Sequence, residues 1–255
     1  IIPGSAVTIT KVERGTVFQQ APLLYDLTSL QKDCNIHHDL TADKTLSIAQ
    51  SLYEKKLVSY PRTGSRYIPE DIMANIPALL EKIIAMPLFR EYGRTFDFSA
   101  LNTRSVDTTK VTDHHAIIPT VEIARTDLSE LPSGERDVLT LLVVRLLCAT
   151  TQVHRFEAVT AILDCQGYTF TAKGKTILQS GWKEVERIHR MSIRQSETEH
   201  RENEDAALPV LKEGQTFETV SASLREGKTS PPKHYTDVIF CERKEWIGIE
   251  ERSSA

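Results

Sequence analysis

Two β-patterned stretches stand at opposite ends of this chain, and a long, mostly helical stretch separates them. Residues 6–12, AVTITKV, alternate apolar and polar side chains at the period of a strand. Glu13-Arg14-Gly15 then reads as a turn into a second short run, TVFQ. The β pattern returns only after residue 150. RFEAVTAILD and YTFTAK are rich in β-branched and aromatic residues, and Cys165-Gln166-Gly167 between them reads as a hairpin turn. VSASLR, at 220–225, alternates again. Strands need partners for their N–H and C=O groups, and a lone strand or hairpin is marginal in water. The simplest topology brings both ends into one β-rich domain, residues 1–26 and 151–232. A helical domain, 27–150, is inserted into it, and 233–255 begin a following domain or tail. The expected fold class is α+β.

Inside the insertion the helical signals are local. LTSLQKDCNIHH reads as a short helix. Thr41 is placed to cap a helix from Asp43 to about Lys56, with Leu46, Ala49, Leu52 and Tyr53 as its buried stripe. Strand-formers Leu57-Val58-Ser59 follow. Pro69 suits the first turn of the next helix, and Pro77 is expected to break or restart it. Ser133 is expected to cap GERDVLTLLVVRLLCAT, whose apolar residues go nearly all round and imply burial on most sides. SIRQSETEHRENEDAA, at 192–207, has the composition of a solvated loop.

Bulk properties exclude some functions. The net charge of −4 gives no overall nucleic-acid footprint, so any such site must be a local patch. No apolar run approaches the roughly 20 residues that span a bilayer, so no membrane partner is expected and the location reads as cytoplasmic. Four scattered cysteines (Cys34, Cys148, Cys165 and Cys241) lack any CxxC pair and read as reduced thiols. The chain opens without Met, in a strand pattern and without a leader, as a processed chain or a fragment would.

The chemistry-bearing residues cluster in two places. LVSYPRTGSRY, at 57–67, puts Arg62 two residues after Tyr60. A free phenol, with a pKa of about 10, is a poor nucleophile at neutral pH. A guanidinium beside it offers a planar fork for a phosphate. Pro61 stiffens the link, and Thr63, Ser65 and Arg66 add phosphate-type donors. Tyr60 as a plain buried aromatic remains the alternative. The second cluster is KVTDHHAIIPT, at 110–120. Adjacent histidines diverge and rarely share a metal, so no metal site is expected. His114 and His115 read either as surface or capping histidines or as phosphate contacts.

SLYEKKLVSYPRTGSRYIPED resembles the active-site segment of type IA DNA topoisomerases, in the topoisomerase III branch. APLLYDLTSLQ, KVTDHHAIIPT, FTAKGKTILQSGW, LKEGQTF and SPPKHYTDVIF resemble further family segments in the family's order, over about residues 6–240. The resemblance implies that Tyr60 is a nucleophile that cleaves single-stranded DNA through a 5′-phosphotyrosyl link. It implies that Arg62 neutralises the scissile phosphate and that His114 contacts it. Thr63, Ser65, Arg66, His115, Lys173 and Lys175 become candidate DNA contacts. It also implies a discontinuous β-rich arch with an inserted, mainly helical, winged-helix-like domain. In the family, this domain parts from a toroid base to open a gate, and the crossings near 27 and 150 become hinge-adjacent.

Two departures qualify the implication. Gly64 stands where the family usually has an acidic residue. No toprim-like series of strand, acid and helix is found, and in the family that domain supplies a catalytic glutamate and the aspartates that bind Mg²⁺. The expectation is therefore a parent enzyme that uses Mg²⁺, with no cofactor held by this chain. The toprim and toroid-base domains would be its partners, and the parent would be nucleoid-associated if bacterial. Relaxation by this stretch alone is not expected. The alternative is a non-catalytic module that binds single-stranded DNA or a partner.

Overall fold

The computed structural model of the chain describes residues 4–94, 96–193 and 208–219, with 221, 223, 226–229 and 231 beyond them. The chain divides into two units. One holds residues up to 20, 153–181 and the described part of 194–232; the other holds 21–152 and 182–193.

The first unit is a four-stranded antiparallel sheet in the order β3-β2-β1-β4. Its strands are β1 (Ala6–Gln19), β2 (His154–Cys165), β3 (Tyr168–Gln179) and β4 (Thr216–Glu218). The two chain ends therefore pair, as the alternation requires. The expected turn at Glu13-Arg14-Gly15 does not form. These residues pair with Thr160, Val159 and Ala158, so β2 offers ladder partners straight through, and the only register shift in that pairing lies between Ile9 and Lys11. The β2–β3 hairpin turns at Gln166 (φ 55°) and Gly167 (φ 84°), both left-handed. That is the twist a two-residue hairpin needs, and Gly167 supplies it without strain. VSASLR falls largely outside the described residues, as do Cys241, 233–255 and most of SIRQSETEHRENEDAA.

The second unit is helical, with α1 (Leu27–His38), α2 (Ala42–Glu54), α3 (Glu70–Ala85), α4 (Arg90–Gly93), α5 (Ser133–Thr150) and α6 (Trp182–Ile193). Helix α6 is a correction to the assignment of all of 151–232 to the β-rich domain. Trp182, Val185 and His189 are its buried face, and they pack in the helical unit. The described β structure of this unit consists of three isolated bridges: Tyr25–Ile117, Val58–Pro119 and Ile68–Val106.

Helix α5 is the centre of the core. Val138, Leu139, Leu141, Leu142, Val143, Val144, Leu146 and Leu147 are all buried, which is why the helix is apolar nearly all round. Ser133 does not cap it. The Arg136 N–H donates to the Pro132 carbonyl, so Pro132 is the cap position and Ser133 is already helical. Pro77 does not break α3, because Ile76, Leu79, Leu80 and Ile83 are buried on both sides of it and hold the helix across the missing N–H. Thr41 caps α2 as expected, accepting from the Lys44 N–H at 3.2 Å. Ala49 and Leu52 are buried in α2 as expected, but the stripe is completed by Thr45 and Ile48 in place of Leu46, which is half-buried, and Tyr53, which is 39% exposed.

Cys34, Cys148 and Cys165 are buried free thiols. Burial pushes the first two up to about 12. Thiols held protonated this way are poor nucleophiles.

Candidate active site

Three chain segments meet at the two sequence clusters. Residues 57–68 run beside 116–120. The Ser59 N–H donates to the Ile118 carbonyl (2.9 Å), Thr120 donates to Leu57 (2.9 Å), and Ala116 donates to Tyr67 (2.9 Å). The Ser59 hydroxyl adds a staple: it donates to the Ala116 carbonyl at 3.0 Å and accepts from the Ile118 N–H at 2.9 Å. Residues 24–27 hold both segments. The Tyr25 carbonyl accepts from Ile117 (2.8 Å), and the Leu27 N–H donates to Thr63 (3.0 Å).

The core anchors the third segment in turn. Arg145 on α5 donates to the Tyr25 hydroxyl at 3.0 Å and pairs with Asp33 on α1, and Tyr25 donates to Asp33 at 2.6 Å. Burial drives the Tyr25 phenol well above its ordinary value. For Arg145, burial works against its charge, but Tyr25 and Asp33 outweigh it and the guanidinium is held charged. Removing one member of such a network leaves the others desolvated and unpaired, which is the expensive case.

On this frame the Tyr60 ring lies against the His114 ring, with centroids 4.2 Å apart and planes tilted by 39°. Fifty-four residues of sequence separate the two. No hydrogen bond to another described residue ties the Tyr60 hydroxyl. Arg62 is exposed and has no ion-pair partner among the described residues. A nucleophile candidate thus lies against a ring with two nitrogens, and two residues along the chain from it is an exposed guanidinium without an ion-pair partner among the described residues. That set can orient a phosphate and neutralise its charge.

The remaining candidates divide. Thr63 and Ser65 are buried and committed internally. Thr63 donates its hydroxyl to the His114 carbonyl at 2.9 Å and accepts from the Ser65 N–H at 3.1 Å, while the Ser65 hydroxyl donates to Lys110 at 3.0 Å. Arg66 is half-buried, its Nε donating to the Leu24 carbonyl at 3.2 Å. His115 is half-buried with Nδ1 2.7 Å from the Ala116 carbonyl. Lys173 and Lys175 belong to the sheet unit. They pair with Thr160 and Ala158 and so share one face of the sheet, where Lys175 Nζ sits 4.5 Å from the Phe156 ring centroid.

Gly64 is exposed, has no left-handed φ, and a Cβ built on it would meet nothing within 4 Å. Neither backbone nor packing demands glycine there. Sequence reasoning missed Ser59, whose hydroxyl joins the two clusters, and Tyr53, whose ring meets Tyr60 edge-on at 5.5 Å and 83°. Ser59 sat among strand-formers and gave no separate signal. Tyr53 lies seven positions before Tyr60, across a helix end whose reversal the sequence does not announce.

Comparison with known proteins places the chain in a family. A family model described as DNA topoisomerase matches residues 2–243, and the chain belongs to that family. DNA topoisomerase 3 of Bacillus subtilis is 34% identical over 239 residues, which is 92% of this chain and 32% of the relative. DNA topoisomerase 3 of Bacillus licheniformis is 34% identical over 238 residues, with the same two shares. The chain therefore spans about a third of the length of the curated relatives it matches. Full-length topoisomerase I of Thermotoga maritima has the same fold over 96% of this chain and 38% of its own, with a TM-score of 0.68 at 19% identity.

Proposed function

We propose that this chain carries the nucleophile side of a type IA topoisomerase active site. The observation that carries the reading is the packing of Tyr60 on His114; Arg62, two residues on, is exposed and without an ion-pair partner among the described residues. Tyr60 Oη attacks the phosphorus of a phosphodiester in single-stranded DNA. A tyrosyl O–P bond forms, the P–O3′ bond breaks, the phenol proton is lost and the departing O3′ gains one. The phosphate ester conserves the bond, so attack by the 3′-hydroxyl reverses the step without ATP. Arg62 neutralises the phosphate as charge develops, and His114 holds the phenol ring and offers a ring nitrogen to the same phosphate.

Thr63 and Ser65 act by position, fixing the loop between Tyr60 and the histidine segment through the bonds described above. Lys173 and Lys175 supply phosphate contacts on the sheet face, and single-strand binding is expected to weaken as salt rises. Among the described residues, no group of three or more His, Cys, Asp or Glu side chains is placed to hold a metal ion. The described residues do not fit a Mg²⁺ site, and no step here runs through one. In this reading Mg²⁺ and the remaining acidic groups come from the toprim portion of the parent enzyme, and this stretch alone does not relax DNA. No described helix is long and apolar enough to cross a membrane.

The test is a chimera in which this chain replaces the matched third of the Bacillus subtilis relative, mixed with labelled single-stranded DNA and then denatured. A covalent adduct that disappears in Tyr60→Phe is expected. An adduct that survives Tyr60→Phe overturns the reading.

A further inference from the structure

The Tyr60 hydroxyl has no hydrogen bond among the described residues, so ring contacts set where it points. One is the tilted contact with His114. The other comes from Tyr53, whose ring meets the Tyr60 ring edge to face, with centroids 5.5 Å apart and planes at 83°. An aromatic pair in this geometry is favoured, beyond area burial, by a factor of about two to ten. That is enough to favour one ring orientation severalfold.

Tyr53 is well placed to impose an orientation because its backbone is held on several sides. It sits in the last turn of α2, whose opposite face (Thr45, Ile48, Ala49 and Leu52) is buried. Glu135 at the start of α5 grips that same turn: it accepts from the Ser51 hydroxyl at 2.8 Å and from Lys55 Nζ at 2.5 Å. Burial alone would raise the Glu135 carboxyl, but Lys55 and Ser51 outweigh it and hold it lowered and charged.

The helix then ends in a Schellman turn. The Leu57 N–H donates to the Leu52 carbonyl at 2.9 Å and the Lys56 N–H to Tyr53 at 2.8 Å, with Lys56 left-handed at φ 62°. Leu52 and Leu57 are both buried, as the motif's apolar contact requires. The Thr120 hydroxyl donates to the Lys56 carbonyl and ties the turn to the histidine segment. This reversal brings Tyr60 back alongside Tyr53.

Tyr53 itself is 39% exposed, and its hydroxyl has no partner among the described residues. Its ring is therefore spent neither on filling the core nor on a structural hydrogen bond. We infer that Tyr53 is a positioning residue that fixes the ring of the nucleophile through a second ring contact besides that of His114. The inference rests on the reading of Tyr60 as nucleophile.

The test has two parts. In the 255-residue chain, the ring proton shifts of Tyr60 are read by NMR in the wild type, Tyr53→Phe and Tyr53→Leu, with thermal midpoints recorded beside them. Tyr53→Phe is expected to leave the Tyr60 shifts in place, and Tyr53→Leu to move them at little change in midpoint. In the chimera described above, Tyr53→Leu is expected to slow adduct formation at saturating single-stranded DNA roughly tenfold, with unchanged Kd and with Tyr53→Phe restoring the rate. Weakened DNA affinity at an unchanged saturating rate would make Tyr53 a DNA contact and overturn the inference. So would a Tyr53→Leu variant with unmoved shifts and rate. If Tyr60→Phe abolishes the adduct while Tyr53→Leu does nothing, the nucleophile stands and the positioning role falls. If Tyr60→Phe still forms the adduct, both fall.

Discussion

The helical unit and the sheet unit are held together differently. In the helical unit a single cluster runs from Ala21 to Val185, and α1, α2, α3, α5 and α6 all contribute fully buried side chains to it. Among the described residues of the sheet unit the buried apolar ones are Ile9, Val159, Ala161 and Cys165, while Phe18, Tyr168, Phe170, Ile177 and Phe217 are exposed. Its order comes from ladders: β2 pairs with β1 from His154 to Asp164 and with β3 from Arg155 to Cys165. The candidate nucleophile is carried by loops, yet those loops are bonded to one another and, through Tyr25, Asp33 and Arg145, to α5. The candidate reactive groups sit on the unit with the deep core.

The largest test of this contrast is a pair of truncations. Leu80→Ala in the helical core should cost about 2–5 kcal/mol, and Val159→Ala in the sheet about 1.5 kcal/mol. Denaturant midpoints check both, and equal losses would break the comparison.

Acid should also act on the helical unit first. His189 on α6 is buried, with Nδ1 3.4 Å from the Tyr92 hydroxyl and Nε2 unpartnered among the described residues. His37 and His38 on α1 face it, with the His37 ring 6.4 Å away, while Asp137 on α5 faces His38. Burial first, and then His37 and His38, lower the His189 imidazole from 6.5 to about 4. The unfolded chain therefore binds the extra proton between those values. The stability is present above about pH 6.5 and is lost as pH falls towards 4. The expected loss between pH 7 and pH 5 is about 2 kcal/mol. Thermal midpoints at the two pH values measure it, and His189→Leu should flatten the drop.

Local signals were legible in the sequence wherever one residue type decided the geometry. Thr41 marked the start of α2, and Gln166-Gly167 gave the hairpin its left-handed turn. The pairing of the two chain ends followed from strands that had no other partners. What was not legible depended on neighbours distant in sequence. Glu13-Arg14-Gly15 looks like a turn until β2 is beside it. Pro77 looks like a break until its flanking apolar residues are buried. Helix α6 has helical spacing at Trp182, Val185 and His189, but it is short, charged and flanked by β-patterned sequence. At the site, composition and family order singled out Tyr60, Arg62 and His114 as candidates, and the structure brings the rings of Tyr60 and His114 together. The commitment of Thr63 and Ser65 to internal bonds was not, because a hydroxyl's partner is a matter of folding and not of residue type.

Two smaller substitutions sharpen the account at the site. Lys56 occupies a left-handed position that glycine fills more easily, so Lys56→Gly should stabilise the helical unit by about 0.5–1 kcal/mol. Gly64→Asp meets open space at an ordinary φ and should change stability by less than about 0.5 kcal/mol. Thermal midpoints read both, and a large loss in Gly64→Asp would show that the loop is tighter than described.

The central claim is that Tyr60 is the residue that takes the DNA. The most direct measurement is mass-spectrometric mapping of the covalent adduct formed on single-stranded DNA by the chimera that carries this chain. The account predicts a DNA 5′-phosphate on the peptide containing Tyr60 and no adduct in Tyr60→Phe. A phosphate mapped to Tyr53 or Tyr67, or an adduct that persists in Tyr60→Phe, would contradict it.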